Sequence, residues 1–267
     1  MFTIGSDFEY MAERNGALFN VEGLIGGSKS NPLFIDEEGS NIQEDNVLAE
    51  AATSVCYNKQ QFIDAVRGMS RILHDTLARH NVKIVARCAA SYPEDQLQSV
   101  QAKTFGCDKS YNAYTEVEED SPNNDTSLRV AGGHVHVGLQ DYADDLGLMV
   151  ELVKAMDVYL AVPLMMNTTA AEREQEVMRR EQYGRAGSFR IKEYGIEYRT
   201  LSSAWTFDDN LIAFVYEATA NAVDFVLNGG CIDESMQNNV QGIINNGVLM
   251  DNTMTNYLYS LPNWTEV

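Results

Sequence analysis

The chain has 267 residues, 45% of them hydrophobic and 22% charged, with a formal net charge of −20. That length and apolar content suit one large domain or two small ones with a well-buried core, while so negative a charge repels phosphate backbones and argues against general nucleic-acid binding. No apolar run is long enough to span a bilayer, the N-terminus lacks the layout of a signal peptide, and Cys56, Cys88, Cys107 and Cys231 form no C-x-x-C pair, so a reducing cytoplasmic setting without disulfides is expected.

Residues 2–11 read as a first strand, and Asn15-Gly16 is the turn that returns the chain toward 17–21. Residues 33–35 look like another strand, closed by the turn at 36–39. Phe62, Ile63, Val66, Met69, Ile72, Leu73 and Leu77 follow helical spacing. His74 and His80 lie on or just after that helix and are expected at the surface. A short strand at 82–85 follows. Residues 89–124 show little periodicity, with Pro93, Pro122 and an acidic run at 116–120, which suggests a long functional loop. Residues 128–139 read as a strand. Leu146, Met149, Leu152, Val153, Met156 and Leu160 mark a second helix, stopped near Pro163. Residues 170–182 are charged enough for a solvated helix, and 188–201 suggest a strand pair turning at Gly195. Leu211, Phe214, Val215, Ala218, Ala222, Phe225 and Val226 form a third helix, stopped by Gly229-Gly230, and 236–244 suggest a short last one. Strands and helices mix without a βαβ rhythm, so the expected class is α+β with an antiparallel sheet.

Three segments carry chemistry in the same i, i+2 form, which puts both side chains on one face of a strand. Asp7 and Glu9 offer carboxylates of the kind that hard divalent cations prefer. Taken alone, such a pair more often faces solvent. His134 and His136 stand in Gly132-Gly-His-Val-His-Val-Gly138, where the glycines permit close backbone approach and the valines pack on the opposite face. Such a pair suits a metal site, a catalytic base or a hydrogen-bonded structural pair. Glu197 and Arg199 form the third set, in Tyr194-Gly-Ile-Glu-Tyr-Arg199. The basic residues are clustered too: Arg173, Arg179, Arg180, Arg185, Arg190, Lys192 and Arg199 are seven of the 19. Within an acidic protein such a patch suits a small anionic ligand, and arginine grips phosphate bidentately. For any single arginine, a surface salt bridge is the plainer reading. Asp45-Asn-Val-Leu-Ala-Glu50 either starts a helix or closes a strand, and Glu50 is an ordinary acid unless it completes a site begun by Glu9.

Taken in order, the acidic pair, the D-N-x-x-x-E segment, the G-G-H-x-H-x-G strand, R-x-G-x-F-R and G-I-E-Y-R resemble the glutamine synthetase and glutamate–cysteine ligase superfamily. The nearest likeness is to its compact phage-type carboxylate–amine ligases. The 105–114 segment, Phe-Gly-Cys-Asp-Lys-Ser-Tyr-Asn-Ala-Tyr, also looks like one in those small ligases. The resemblance runs from about residue 4 to about residue 205; the C-terminal helices carry no matching motif.

The resemblance implies a single catalytic domain over 1–267, built on a curved antiparallel sheet with helices packed on its outer face. It implies an ATP-dependent ligase that forms an amide through an acyl phosphate, using two or three Mg2+ ions, with Mn2+ as a substitute. On this likeness Asp7, Glu9, Glu50, Glu197 and one of His134 and His136 would hold metal. The histidines, Arg185, Arg190, Lys192 and Arg199 would meet the nucleotide, and Glu197 with Arg185, Arg190 and Arg199 would serve catalysis. The expected partners are carboxylate and amine substrates, small or peptidic, and further copies of the chain in a homo-oligomer; neither nucleic acid nor membrane is expected. The setting would be a cytoplasm, the host's if the chain is phage-encoded. The rival readings are a guanidino phosphotransferase of the same fold, a metal-dependent hydrolase built on His134 and His136, and a non-catalytic nucleotide- or metabolite-binding protein.

Overall fold

The structure is a computed structural model that describes residues 2–103, 109–119 and 127–267. Cys107 and Pro122 lie outside the described residues, as does the first part of the 105–114 motif.

Alternation of side chains builds the sheet. In the first strand, Thr3–Arg14, residues Ile4, Phe8 and Tyr10 are buried on one side, while Gly5, Asp7 and Glu9 point to the other. This strand lies centrally in an antiparallel sheet of eleven strands. One flank holds the hairpin of Asn41–Asp45 and Leu48–Ala52, edged by Leu33–Phe34. The other flank runs through Gly133–Gly138, Gly195–Tyr198, Ser188–Lys192, Ser110–Asn112 and Val117–Glu119. The far half of the first strand also pairs with Ala17–Leu18 and Lys83–Val85. Ala89–Ser91 and Leu128–Val130 make a separate pair. The α+β class with a large antiparallel sheet is the fold expected from the sequence.

Helices cover one face of this sheet. Lys59–Ala78, capped by the Asn58 side chain, buries Phe62, Ile63, Val66, Met69, Leu73 and Leu77. Helix Leu146–Met156 and helix Asp209–Leu227, the latter capped by Asp208, join it in the main core. Strand residues Phe8, Tyr10, Val135, Val137, Ile196 and Tyr198 supply the sheet's half of that core. The opposite side chains of the same strands are therefore left for chemistry.

Several local expectations change. Residues 45–50 neither start a helix nor simply close a strand. They form a hairpin whose two-residue turn begins at Asn46, with φ 57°, a conformation asparagine tolerates. Pro163 does not stop the second helix. A wider, π-type turn at Asp157–Ala161 carries the chain into Val162–Met166, and it lets the proline ring pass the preceding turn. The 170–182 stretch forms helix Ala170–Arg179, with a Thr169–Glu172 capping box, but it is not solvated all round, because Glu176, Arg179 and Arg180 are buried. The described part of 89–124 contains short helical turns at Glu94–Leu97 and Val100–Lys103 and the hairpin Ser110–Asn112 with Val117–Glu119, more structure than its weak periodicity suggests. A last helix, Asn252–Ser260, was unforeseen; it buries only Met254 and Leu258. His74 and His80 are exposed, as expected. Among the described residues, no helix is long and apolar enough to cross a membrane.

Candidate active site

Register brings the three i, i+2 pairs together. Asp7 lies directly opposite His134, Glu9 opposite Glu50, and His136 opposite Glu197, while Arg190 faces Glu197 from the next strand. Directly opposed residues of an antiparallel ladder share a face. Asp7, Glu9, Glu50, His134, His136, Arg190, Lys192, Glu197 and Arg199 thus stand on the face away from the helices.

Two acid-rich clusters form there. In the first, ligand-type atoms of Asp7, His134 and Glu197 all lie within 4.8 Å of one another. His134 Nδ1 is 2.9 Å from Asp7 Oδ1 and 3.7 Å from Glu197 Oε1. His136 Nε2 lies 3.3 Å from Asp7 Oδ1, and its Nδ1 pairs with the Tyr194 hydroxyl. In the second cluster, Glu9, Asp45 and Glu50 meet the same 4.8 Å limit. Glu9 Oε2 accepts from the Gly132 amide at 2.6 Å and from the Tyr183 hydroxyl at 2.9 Å, and Glu50 Oε2 accepts from Gln43 Nε2 at 2.6 Å.

The glycines before the histidines are sterically required. A Cβ on Gly132 would strike the His134 ring and lie 2.6 Å from the Tyr183 hydroxyl oxygen. A Cβ on Gly133 would run into the Ser202 carbonyl and the Trp205 indole nitrogen. The His134 ring is held against bare backbone, and its buried Nε2 has no hydrogen-bond partner among the described residues.

Glu197, only 1% exposed, is the electrostatic centre. Lys192 Nζ lies 2.6 Å from its Oε2, and Arg190 Nη1 and Arg199 Nε each lie 3.2 Å from its Oε1. Burial would raise its carboxyl, yet His134, Arg199 and Arg190 outweigh burial and the Asp7 charge and hold it below the usual carboxylate range. Burial likewise opposes ionisation of Asp7, but His134 and His136 hold that carboxyl well below its ordinary value. His136 moves the other way: burial would lower it, and Asp7 and Glu197 raise it. The second cluster has the opposite character. Burial and then Asp45 raise Glu9, while burial and then Asp7, Glu9 and Asp45 push Glu50 well above its usual range. Three carboxylates with little positive charge between them offer the hard oxygen donors that a divalent cation prefers.

Not every predicted residue joins the cluster. Arg185 is exposed, and its Nε donates to the Arg180 carbonyl at 3.2 Å. Arg179 and Arg180, counted in the basic patch, are structural: Arg179 binds backbone carbonyls and Arg180 pairs with Glu176. Asp45, Tyr183 and Tyr194 stand in the site although the sequence did not single them out. Asp45 opens the D-N-x-x-x-E segment, but its place beside Glu50 comes only from the register of the strand it shares with Gln43. Tyr183 had none: it follows a helix, and its ring lies 5.0 Å from the Arg199 guanidinium and 5.8 Å from the His134 ring.

The fold, a large antiparallel sheet with helices on one face, is similar to that of solved structures. A bifunctional glutathione synthetase from Pasteurella multocida superposes with a TM-score of 0.58 at 12% identity, over 97% of this chain and 43% of that one. A novel glutamine synthase homologue gives 0.42 at 13% identity, over 97% of this chain and 63% of that one. Plasmodium falciparum glutamine synthetase gives 0.42 at 9% identity, over 84% and 51%. The chain thus spans less than two thirds of each of these three structures. No curated protein sequence matches it. Residues 113–223 match the family model described as phage phiEco32-like COOH.NH2 ligase-type 2. The resemblance to compact phage-type carboxylate–amine ligases, read first from the motifs, is shown over this segment, which carries His134, His136, Arg190, Lys192, Glu197 and Arg199.

Proposed function

We propose that this protein is an ATP- and magnesium-dependent carboxylate–amine ligase that forms an amide through an acyl phosphate. The observation that carries the reading is the pair of acid clusters on one sheet face, with Arg190, Lys192 and Arg199 gathered at Glu197. The family match supports the class of reaction.

The residues fit divalent metal. Glu9, Asp45 and Glu50 offer only hard oxygen donors, and Asp7 with Glu197 offers two more beside the His134 imidazole. His134 rather than His136 is the histidine of that set. Bound Mg2+ would supply neutralising charge to a triphosphate. Arg190, Lys192 and Arg199 are the chain's own cations for the phosphates. They would steady the γ-phosphoryl group while a substrate carboxylate attacks it and ADP leaves. The amine then attacks the acyl carbon, loses a proton and expels phosphate. Asp7, held ionised by its histidines, would offer a carboxylate to the metal. Arg185 stands outside the cluster and is not part of this reading.

The test is incubation with ATP, Mg2+ and pooled carboxylates and amines, followed by mass spectrometry for a product lighter by water than the summed reactants. A stable phosphorylated acceptor would instead favour a phosphotransferase. Glu197→Ala should abolish amine-dependent ADP release, and near-normal turnover in that variant would remove the proposal.

A further inference from the structure

Behind the site, on the helix side of the sheet, Asp157 is fully buried with 0% exposure. It opens the π-type turn Asp157–Ala161, a local widening of the helix of the kind often found at functional positions. Its Oδ2 accepts from the Gly187 amide at 2.7 Å, and its Oδ1 accepts from the Tyr198 hydroxyl at 2.6 Å and the Thr200 hydroxyl at 3.3 Å. No lysine or arginine pairs with it among the described ion pairs, so backbone and hydroxyl dipoles alone hold the carboxyl.

Its partners are not scattered. Gly187 ends the turn that launches strand Ser188–Lys192, which carries Arg190 and Lys192. Tyr198 lies between Glu197 and Arg199. The turn is fixed on its other sides as well: the Ala186 amide donates to Asn245, and the Gly187 carbonyl accepts from the Ala113 amide. Gly187 has φ +80°, and a Cβ there would strike Tyr114. The site's two cation-bearing strands therefore meet at one carboxyl group from behind.

We propose that Asp157 is a positioning residue, a rear anchor that sets Arg190 and Lys192 against Glu197 and Arg199 by binding Gly187 and Tyr198 together. It touches neither substrate nor metal. Its effect reaches the phosphate-binding cations through two strands and leaves the Glu9, Asp45 and Glu50 cluster on the far flank alone.

The test uses the full chain and the variants Asp157→Asn, Asp157→Ala and Tyr198→Phe. Amide hydrogen exchange is read at Gly187 and Phe189 and, for comparison, in helix Lys59–Ala78. Binding of Mn2+ alone and of Mn2+ with ATP is read by calorimetry. In the Asp157 variants, exchange should rise about tenfold or more at 187–189 beyond any rise in the helix, with Asn milder than Ala. Affinity for Mn2+ with ATP should fall about tenfold, with Mn2+ alone held within about twofold. If the Asp157 variants do not fold, Tyr198→Phe decides, with a smaller shift in the same direction. Exchange that is unchanged, or that rises equally in the helix, overturns the proposal. Because the nucleotide arm rests on the ligase reading, the exchange arm is measured without nucleotide. A wild-type chain that takes up no ATP would sink that reading and leave the exchange result to decide on Asp157.

Discussion

Gly132 and Glu50 show how single residues set this site. An alanine at 132 places a methyl group against the buried His134 ring and against the half-buried Tyr183, whose hydroxyl is tied to Glu9. Overpacking of this kind costs about 1–3 kcal/mol. Gly132→Ala should fold with a lowered melting temperature and a weakened Mn2+ isotherm, the loss falling on the ion proposed for Asp7, His134 and Glu197. Glu50 makes the opposite prediction for stability. Burial, and then Asp7, Glu9 and Asp45, push its folded carboxyl well above the ordinary glutamate value of 4.5. A raised folded value means that the group's stabilising contribution is complete below 4.5 and is lost as pH rises through the folded value. Glu50→Gln mimics the protonated form. In metal-free buffer it should melt like wild type near pH 4 and a few degrees higher near pH 8, and it should lose most of the stabilisation expected from Mg2+. Wild type and variant melting together at pH 8 would show that Glu50 is not under this repulsion.

At the scale of elements, the strands that carry chemistry were legible because alternation fixes which face a side chain takes. Asp7 with Glu9, His134 with His136, and Glu197 with Arg199 each read directly from spacing, and Asn15-Gly16 announced the first turn. The helix at 59–78 was equally plain from its apolar stripe. Spacing does not report what lies across from a strand: the resemblance grouped Glu50 with Glu9, but their direct opposition in the ladder and the presence of Asp45 came only with register. Charge content misled most in helix Ala170–Arg179. Arg179 is fully buried there, and its guanidinium donates to the carbonyls of Ala131 at 3.1 Å, Thr200 at 2.7 Å and Arg199 at 3.1 Å. Nothing local in a sequence shows an arginine capping strand ends from elsewhere in the chain. Gly184, at φ +78°, passes so near this guanidinium that a Cβ would collide with it. Arg179→Met should therefore destabilise by roughly 3–5 kcal/mol, since three buried carbonyls lose their donor. Chemical denaturation would measure it; a change below about 1 kcal/mol would mean water replaces the guanidinium without loss.

The whole molecule must bring these parts together against its own charge. Residues from 7 to 199 converge because the first strand lies centrally in the sheet, with Leu48–Ala52 on one side and Gly133–Gly138 on the other. The −20 charge opposes that compaction, and the acid cluster concentrates some of the repulsion inside the fold. Two effects of ions should separate cleanly. Screening acts over a Debye length of about 8–10 Å at near-physiological salt, so NaCl should raise the melting temperature gradually and without saturating sharply. Specific binding of Mg2+ follows mass action and should add stability that grows logarithmically with its concentration at matched ionic strength. Glu50→Gln should keep the first response and lose most of the second. If NaCl and MgCl2 at equal ionic strength stabilise wild type equally, the acids act only as surface charge, and the clustered carboxylates need another explanation.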